Sequence, residues 1–157
     1  MLQKFLGVLW RRAPKFVRRL SVRLTQPRFT VTAGAVIVDA ENRVLLLRHV
    51  FRVREAWGIP GGFIKNGEQP EDAIRRELRE ETGLELESAE IAFARTLKRA
   101  GQVEIIFRCR PSGSARAQSV EIKSARWFPL GSLPTELSKD QRRLIERALS
   151  DGTKRAV

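Results

Sequence analysis

Five short segments of this chain are rich in β-branched and aliphatic residues, a pattern that predicts β-strands. The first two flank the run Asp39-Ala40-Glu41-Asn42, which has the composition of a turn. The predicted strands comprise residues 30–38, 43–49, 91–97, 103–109 and 126–128.

A helix is predicted over residues 70–82. The segment begins with Pro70, carries acids in its first turn and stops before Gly83, three features typical of helix ends. Ile74 and Leu78 are four residues apart and share one face of this helix. We expect that face to pack against a core.

A second helix is predicted near the end of the chain. Ser138 and Gln141 have the spacing of a capping box, and the helix should run from there to about residue 149. The segment 111–118, rich in Ser, Gly and Ala, predicts a loop between the last two strands.

Composition agrees with a small globular protein of one domain. The chain has 157 residues, of which 42% are hydrophobic and 31% are charged. Its single cysteine, Cys109, precludes an internal disulfide, fits a reducing cytoplasm and is interpreted as a packed residue. Because His49 is the only histidine, a zinc site or histidine-based catalysis has little support.

The first 28 residues differ from the rest in charge. They hold eight Lys or Arg and no acid, and Asp39 is the first carboxylate. The other residues hold 22 basic and 18 acidic side chains, so most of the net charge of +12 belongs to this segment. We therefore divide the chain into a basic N-terminal arm, residues 1–28, and a domain, residues 29–157.

The arm also predicts an amphipathic helix, interrupted or redirected at Pro14. Such a helix suits an anionic membrane surface, which would make the protein peripheral at the inner membrane face. Packing against its own domain or in a homodimer, and cleavage as a targeting peptide, remain open alternatives. Nucleic acid is less favoured, because the aromatic residues lie away from the cations. The predicted apolar face comprises Leu2, Phe5, Leu6, Leu9, Trp10, Phe16, Val17, Leu20 and Leu24.

Three glutamates should form one acidic face on the helix of residues 70–82. Glu77, Glu80 and Glu81 stand at i, i+3 and i+4, so their carboxylates project to the same side. Clustered carboxylates repel one another, and a hard cation with oxygen ligands, Mg²⁺ or Mn²⁺, would relieve that repulsion. Arg76 can hold one carboxylate by a charge-assisted hydrogen bond. The alternative is a solvated face with ion pairs along the helix.

The spacing of the residues around this acidic face favours a metal site over a solvated face. From Gly62 to Leu84 the chain reads GFIKNGEQPEDAIRRELREETGL, with Glu68 and the run Arg-Glu-Leu-Arg-Glu-Glu-Thr-Gly-Leu at fixed distances. This stretch resembles the Nudix box at every defining position. The resemblance implies an α/β fold, the Nudix-type α/β/α sandwich with a mixed β-sheet. It also implies Mg²⁺-dependent hydrolysis of a diphosphate linkage in a nucleoside diphosphate derivative or nucleoside triphosphate.

The same resemblance implies a set of metal ligands. Glu80 and Glu81 are the expected direct ligands, with a backbone carbonyl of Gly61 or Gly62 beside them. Glu77, oriented by Arg76, is either a further ligand or the base that takes a proton from water, and Glu81 is also assigned to catalysis. Outside the box, Glu121 lies six residues before Trp127 and is the expected additional ligand, with Glu104 as its competitor.

The substrate is not identified by the sequence. Trp57 and Phe51 could stack a nucleobase, as could Phe93, although core packing is the ordinary function of such residues. Glu68 is also assigned to substrate binding. Markers of known subfamilies, such as a tyrosine or a proline at set distances after the box, are missing. A different class remains open, a Nudix-like nucleotide-binding or regulatory module that docks on membrane or RNA through its arm.

Overall fold

The computed structural model describes residues 10–51 and 56–150. Three complete helices and seven strands occur among them, together with helical residues 10–12 and a short 3-10 helix at Lys98–Ala100. The helices are α1 (Lys15–Thr25), α2 (Pro70–Thr82) and α3 (Lys139–Ser150). The strands are β1 (Thr30–Ile37), β2 (Arg43–His49), β3 (Trp57–Gly58), β4 (Gly61–Phe63), β5 (Glu85–Leu97), β6 (Gln102–Ser112) and β7 (Ile122–Pro129).

The strands form two sheets. The larger has the order β4-β1-β6-β5 and is mixed, because β1 runs parallel to β6 while the other pairs are antiparallel. The smaller has the order β3-β2-β7 and is antiparallel. The expected α/β fold with a mixed sheet is thus confirmed. The sequence did not predict β3 and β4, because segments of two or three residues rich in glycine carry no periodic pattern.

The buried side chains form two clusters, one on the α2 side of the sheets and one on the α3 side. Ile74 and Leu78 of α2 are fully buried in the first cluster, as their spacing predicted. Leu144 and Ile145 of α3 lie in the second. Cys109 packs in the first cluster, and burial raises the pKa of its thiol to about 12, so it is a packed residue and not a thiolate nucleophile.

Helix α2 has the predicted bounds. Pro70 occupies its first turn, and Gly83 ends it in the left-handed conformation with φ 66°, its N–H donating to the Arg79 carbonyl. Helix α3 departs from the prediction in one detail. Ser138 Oγ accepts a hydrogen bond of 3.2 Å from the Gln141 N–H, as in a capping box. The Gln141 side chain, however, accepts from the Ile59 N–H at 3.1 Å and so ties α3 to the chain just before β4.

The described part of the arm includes α1, which begins directly after Pro14. No residue of α1 is buried, so the helix does not bury an apolar face on the domain. Leu2, Phe5, Leu6 and Leu9 of the predicted face lie outside the described residues. Within residues 10–51 and 56–150, no helix is both long enough and apolar enough to cross a membrane.

Candidate active site

Strand β4 pairs with β1, and its two glycines stand where a side chain would collide with neighbouring groups. Gly61 pairs with Gly34 and Gly62 with Ala33. Gly61 has φ 146°, and a Cβ on it would collide with the Ala33 carbonyl oxygen and the Gly34 Cα. A Cβ on Gly62 would instead collide with the carboxylate of Glu77. The glycine turn, Gly61 and Gly62, therefore brings backbone into direct contact with an acidic side chain of α2.

A second carboxylate of α2 reaches the same turn. The Gly61 N–H donates a hydrogen bond of 3.2 Å to Glu81 Oε2, across a separation of 20 residues in sequence. Glu77 and Glu81 are four residues apart on α2, so both project toward β4. The structure thus brings together the two carboxylates and the two glycines that the sequence singled out.

Arg76 organises the remaining carboxylates. Its Nη1 donates to Glu77 Oε1 at 2.7 Å and to Glu80 Oε2 at 3.3 Å, and its Nη2 donates to the Phe63 carbonyl at 3.1 Å. The contact with Glu77 is the one the sequence predicted. A guanidinium held by several acceptors fixes a carboxylate more tightly than a flexible ammonium does. Arg76 therefore sets the orientation of Glu77 against the glycine turn.

Glu68 holds Arg76 in turn. Its two carboxylate oxygens accept from Arg76 Nε at 2.7 Å and Nη2 at 3.0 Å, and it also accepts from the Lys65 N–H at 2.8 Å. The side-chain bond with Arg76, reinforced by the Lys65 N–H, lowers the pKa of Glu68 to about 2. These contacts make Glu68 a support for Arg76, and the substrate-binding function assigned to Glu68 from the sequence stays a prediction.

The loop before β7 is bound to the end of α2. The Gln118 N–H donates to the Glu81 carbonyl at 2.9 Å, and the Arg116 N–H donates to the Thr82 carbonyl at 2.9 Å. Farther along the loop, the Glu121 carbonyl accepts from the Val50 N–H at 2.8 Å. The side chain of Glu121 is exposed. The predicted ligand Glu121 is therefore on a loop that is anchored to the backbone of Glu81 itself.

Glu104, the competing ligand, lies elsewhere. It shares a face of β6 with Ile106, which packs in the α3-side cluster, since alternate residues of a strand face the same side. Its carboxylate accepts from Arg95 Nε at 2.5 Å, and the Arg95 guanidinium also donates twice to Asp140 of α3, at 2.9 and 2.8 Å. The structure does not bring Glu104 to the acidic face of α2, because a different ion-pair network holds it.

The aromatic candidates differ in accessibility. Trp57 is only 5% exposed and packs edge-on against Phe128 with ring centroids 4.9 Å apart. It therefore packs in the core, which leaves little surface for the predicted stacking on substrate. Phe93 is buried beneath the Arg147 guanidinium, 4.0 Å from the ring centroid. Phe51 is 78% exposed and stays a predicted contact for substrate.

The donor set suits a hard divalent cation, because every candidate ligand is a carboxylate or carbonyl oxygen. Within the described part of the chain, no group of three or more His, Cys, Asp or Glu side chains is arranged so that it could hold a metal ion. Glu77 and Glu80 face Arg76, while Glu81 accepts from Gly61. The Glu80 side chain is 56% exposed, so it has room to turn toward a cation without disturbing the core.

Two residues near the site carried no recognisable sequence signal. Gly34 provides the surface on which Gly61 packs, and it looks like an ordinary strand residue in sequence. Gln141 fixes Ile59 from 82 positions away, although its spacing from Ser138 indicated only a helix cap. A contact between distant segments leaves no local pattern by which it could be found.

Fold and site together define a protein of the α/β class in which carboxylates of α2 cluster beside the glycine turn. The NUDIX domain signature matches residues 28–148, and the chain belongs to this family, whose members are pyrophosphohydrolases that generally use divalent metal ions.

Individual relatives agree with that membership. A MutT-like protein of Streptomyces ambofaciens is 32% identical over 72% of this chain and 70% of its own length. The human 8-oxo-dGDP phosphatase NUDT18 is 32% identical over 73% of this chain, which spans 37% of that protein's length. The crystal structure of a MutT NUDIX hydrolase from Burkholderia pseudomallei has a TM-score of 0.67 and 31% identity, over 76% of this chain and 98% of that one.

Proposed function

We propose that the protein hydrolyses a diphosphate linkage in a nucleoside diphosphate derivative or a nucleoside triphosphate, with Mg²⁺ as its cation. The products are a nucleoside monophosphate and a phosphorylated product or pyrophosphate. The convergence of Glu77 and Glu81 on the glycine turn carries this proposal. In it, residues 29–157 form the catalytic domain and residues 1–28 take no part in the chemistry.

The cation is held in this proposal by carboxylates of α2 and by the neighbouring backbone. Glu80 turns away from Arg76 to join Glu77 and Glu81, and Glu121 approaches on the loop that is anchored to the end of α2. The remaining donor is the carbonyl of Gly61 or Gly62. When bound, Mg²⁺, or Mn²⁺ in its place, neutralises charge on the diphosphate and makes a water molecule a better nucleophile.

The reaction is a substitution at phosphorus. A water oxygen bonds to one phosphorus, the bridging P–O bond breaks, and the departing phosphate keeps the electron pair. The proton of the water passes to Glu77 when this carboxylate acts as the base and not as a further ligand. Arg76 keeps Glu77 oriented throughout, through the 2.7 Å hydrogen bond to its Oε1.

The substrate class follows from the donor set and from a relative. The carboxylates bind a diphosphate through a cation that both contact. They do not determine which group is attached beyond the second phosphate. The human relative is an 8-oxo-dGDP phosphatase, which supports a nucleoside diphosphate among the compounds accepted. Phe51, exposed on the loop after β2, is the proposed contact for a nucleobase.

A panel of nucleoside di- and triphosphates and nucleoside diphosphate derivatives, incubated with Mg²⁺ or Mn²⁺, tests the proposal. We expect cation-dependent release of a nucleoside monophosphate. Glu81→Gln should lower kcat by at least about a hundredfold and leave the circular dichroism spectrum unchanged, since a catalytic charge is lost without loss of shape. Glu146→Gln, which changes an exposed carboxylate of α3, is the matched control and should keep full activity.

Cation binding has a separate measurement. A ligand that binds only the folded state raises Tm, so Mg²⁺ should stabilise the wild-type protein and Glu146→Gln more than it stabilises Glu81→Gln or Glu80→Gln. Equal stabilisation of all four proteins would refute the ligand assignment. A chain that binds Mg²⁺ at this site and turns over no compound of the panel would instead be the nucleotide-binding module.

A further inference from the structure

Helix α1 presents an exposed apolar stripe. Phe16 is 69% exposed, Leu20 53% and Leu24 75%, and Val17 lies beside them at 38%. At about 100° per residue these four side chains fall within an arc of roughly 100° on the helix. None of the residues of α1 is buried, so no other described segment covers the stripe.

The rest of the helix surface is basic. Lys15, Arg18 and Arg19 lie on the same side of the helix as Val22, and Arg23 lies at the edge of the apolar stripe, next to Phe16. Within the described part of the chain, the side-chain hydrogen bonds of α1 are local: Ser21 Oγ donates to the Arg18 carbonyl at 2.9 Å and Thr25 Oγ1 to the Ser21 carbonyl at 2.8 Å. Helix α1 is thus a short amphipathic helix whose apolar and basic sides both face outward.

The charge of the arm indicates which kind of surface could cover this stripe. The first 28 residues contain eight cations and no acid, so a second copy of the arm would bring like charges together. A nucleic acid would contact the cations and leave Leu20 and Leu24 uncovered, because these side chains point away from the cations. An anionic bilayer satisfies both sides at once, with the apolar stripe in the acyl boundary and the cations among the headgroups.

We propose that residues 10–28 dock the protein on the surface of an anionic lipid bilayer, with α1 lying parallel to the membrane plane. Phe16, Val17, Leu20 and Leu24 enter the interface, and the cations beside the stripe, Arg19 and Arg23, contact lipid phosphates. The NUDIX domain remains in water beside the bilayer, where it acts on substrate at or near the membrane.

Co-sedimentation of the full-length protein with vesicles tests this docking. Vesicles of phosphatidylglycerol and phosphatidylcholine should bind the protein, and binding should weaken as salt screens the headgroups. Vesicles of phosphatidylcholine alone should bind it poorly. The double change Phe16→Gln with Leu20→Gln should reduce the partition coefficient at least about tenfold, because two side chains lose their apolar burial.

Matched variants distinguish the effect of the apolar stripe on vesicle binding from that of other residues. Val22→Gln removes an exposed apolar side chain from the same helix but outside the stripe, and should bind vesicles like the wild type. Arg19→Gln with Arg23→Gln should weaken binding about fivefold for each cation removed. Lys139→Gln with Arg143→Gln removes two exposed cations from α3 and should have no comparable effect.

Several results would overturn the docking proposal. Equal binding of the wild type and the Phe16/Leu20 variant to anionic vesicles would show that the stripe takes no part in the interaction. Absence of binding to anionic vesicles, with a halved molar mass of the Phe16/Leu20 variant in light scattering, would identify a second copy as the occupant. Binding to polyuridylate that depends on Arg19 and Arg23 alone would identify nucleic acid. Because vesicle binding needs no turnover, Glu81→Gln should bind as the wild type does, which keeps this test independent of the hydrolase proposal.

Discussion

Arg76 is the residue on which the geometry of the candidate site depends most directly. It contacts Glu68, Glu77 and Glu80, together with the Phe63 carbonyl of β4. Its position between acids offsets their mutual repulsion, and these neighbours raise the pKa of its guanidinium further above its ordinary value. The acidic face of α2 is therefore both a prospective cation site and a hydrogen-bond network built around one arginine.

The support that Glu68 gives to Arg76 predicts a specific pH dependence of stability. Arg76 lowers the pKa of Glu68 from 4.5 to about 2. The stability that the interaction of Glu68 with Arg76 contributes is therefore fully present above pH 4.5 and is lost as the pH falls toward about 2. In urea denaturation, Glu68→Gln should be less stable than the wild type at pH 7, and the difference between the two should shrink between pH 4.5 and 2.

A neighbouring ion pair provides the control for that measurement. Glu71 also accepts from an arginine of α2, Arg75, but its side chain is 51% exposed. Glu71→Gln should change the free energy of unfolding by no more than about 0.5 kcal/mol, the usual size of an exposed pair four residues apart. A Glu68→Gln protein whose stability difference stays constant down to pH 2 would contradict the assigned interaction.

At the scale of elements, the end of α2 and the loop before β7 act as one unit. The loop donates two backbone hydrogen bonds to the last carbonyls of α2, and the Gln118 side chain packs where a Cβ on Gly83 would stand. The predicted ligand Glu121 is three residues beyond Gln118. The position of this glutamate thus depends on the way α2 ends.

This coupling predicts different effects for two glycine substitutions. Gly83→Ala and Gly101→Ala both place a Cβ at a left-handed residue, with φ 66° and 57°, and each should cost about 1–2 kcal/mol of stability. A Cβ on Gly101 meets nothing within 4 Å, whereas a Cβ on Gly83 displaces Gln118. We therefore expect only Gly83→Ala to lower kcat beyond its effect on stability.

Urea denaturation and steady-state kinetics on the same preparations decide this point. Similar losses of stability with a selective loss of kcat in Gly83→Ala support the coupling. If both variants keep the wild-type kcat at temperatures where they are folded, the position of the loop is independent of the end of α2.

At the scale of the whole molecule, α3 reaches the site from the opposite side of the sheets. Gln141 Oε1 accepts from the Ile59 N–H, two residues before Gly61, and Asp140 binds the Arg95 guanidinium of β5. Ile59 is itself buried in the α3-side cluster. The last helix therefore helps to fix the glycine turn against which Glu77 and Glu81 are placed.

Two substitutions at the start of α3 test this long-range support. Ser138→Ala removes the helix cap, and Gln141→Ala removes the acceptor of the Ile59 N–H, each at a cost of about 1 kcal/mol. We expect kcat to fall in Gln141→Ala alone, because only that change releases the segment before β4. Equal kcat values in the two variants, measured well below their Tm, would show that α3 contributes stability without positioning the turn.

The chain by itself determined what depends on neighbours within a few positions. Pro70 and Gly83 fixed the ends of α2, and the spacing of Glu77, Glu80 and Glu81 fixed their common face, because helix geometry is set by local backbone structure. The absence of acids from residues 1–28, with the apolar spacing around Phe16 and Leu20, likewise gave the amphipathic character of α1.

Only the tertiary structure decided which distant groups meet. In the folded protein Glu81 contacts Gly61, and Glu68 contacts Arg76. Glu104 pairs with Arg95, and Trp57 is buried beside Phe128. Each of these outcomes depends on the pairing of strands and the packing of helices across tens of residues, and no local pattern encodes it. The sequence therefore specified the acidic helix and the class of chemistry, whereas folding selected the partners that hold each carboxylate.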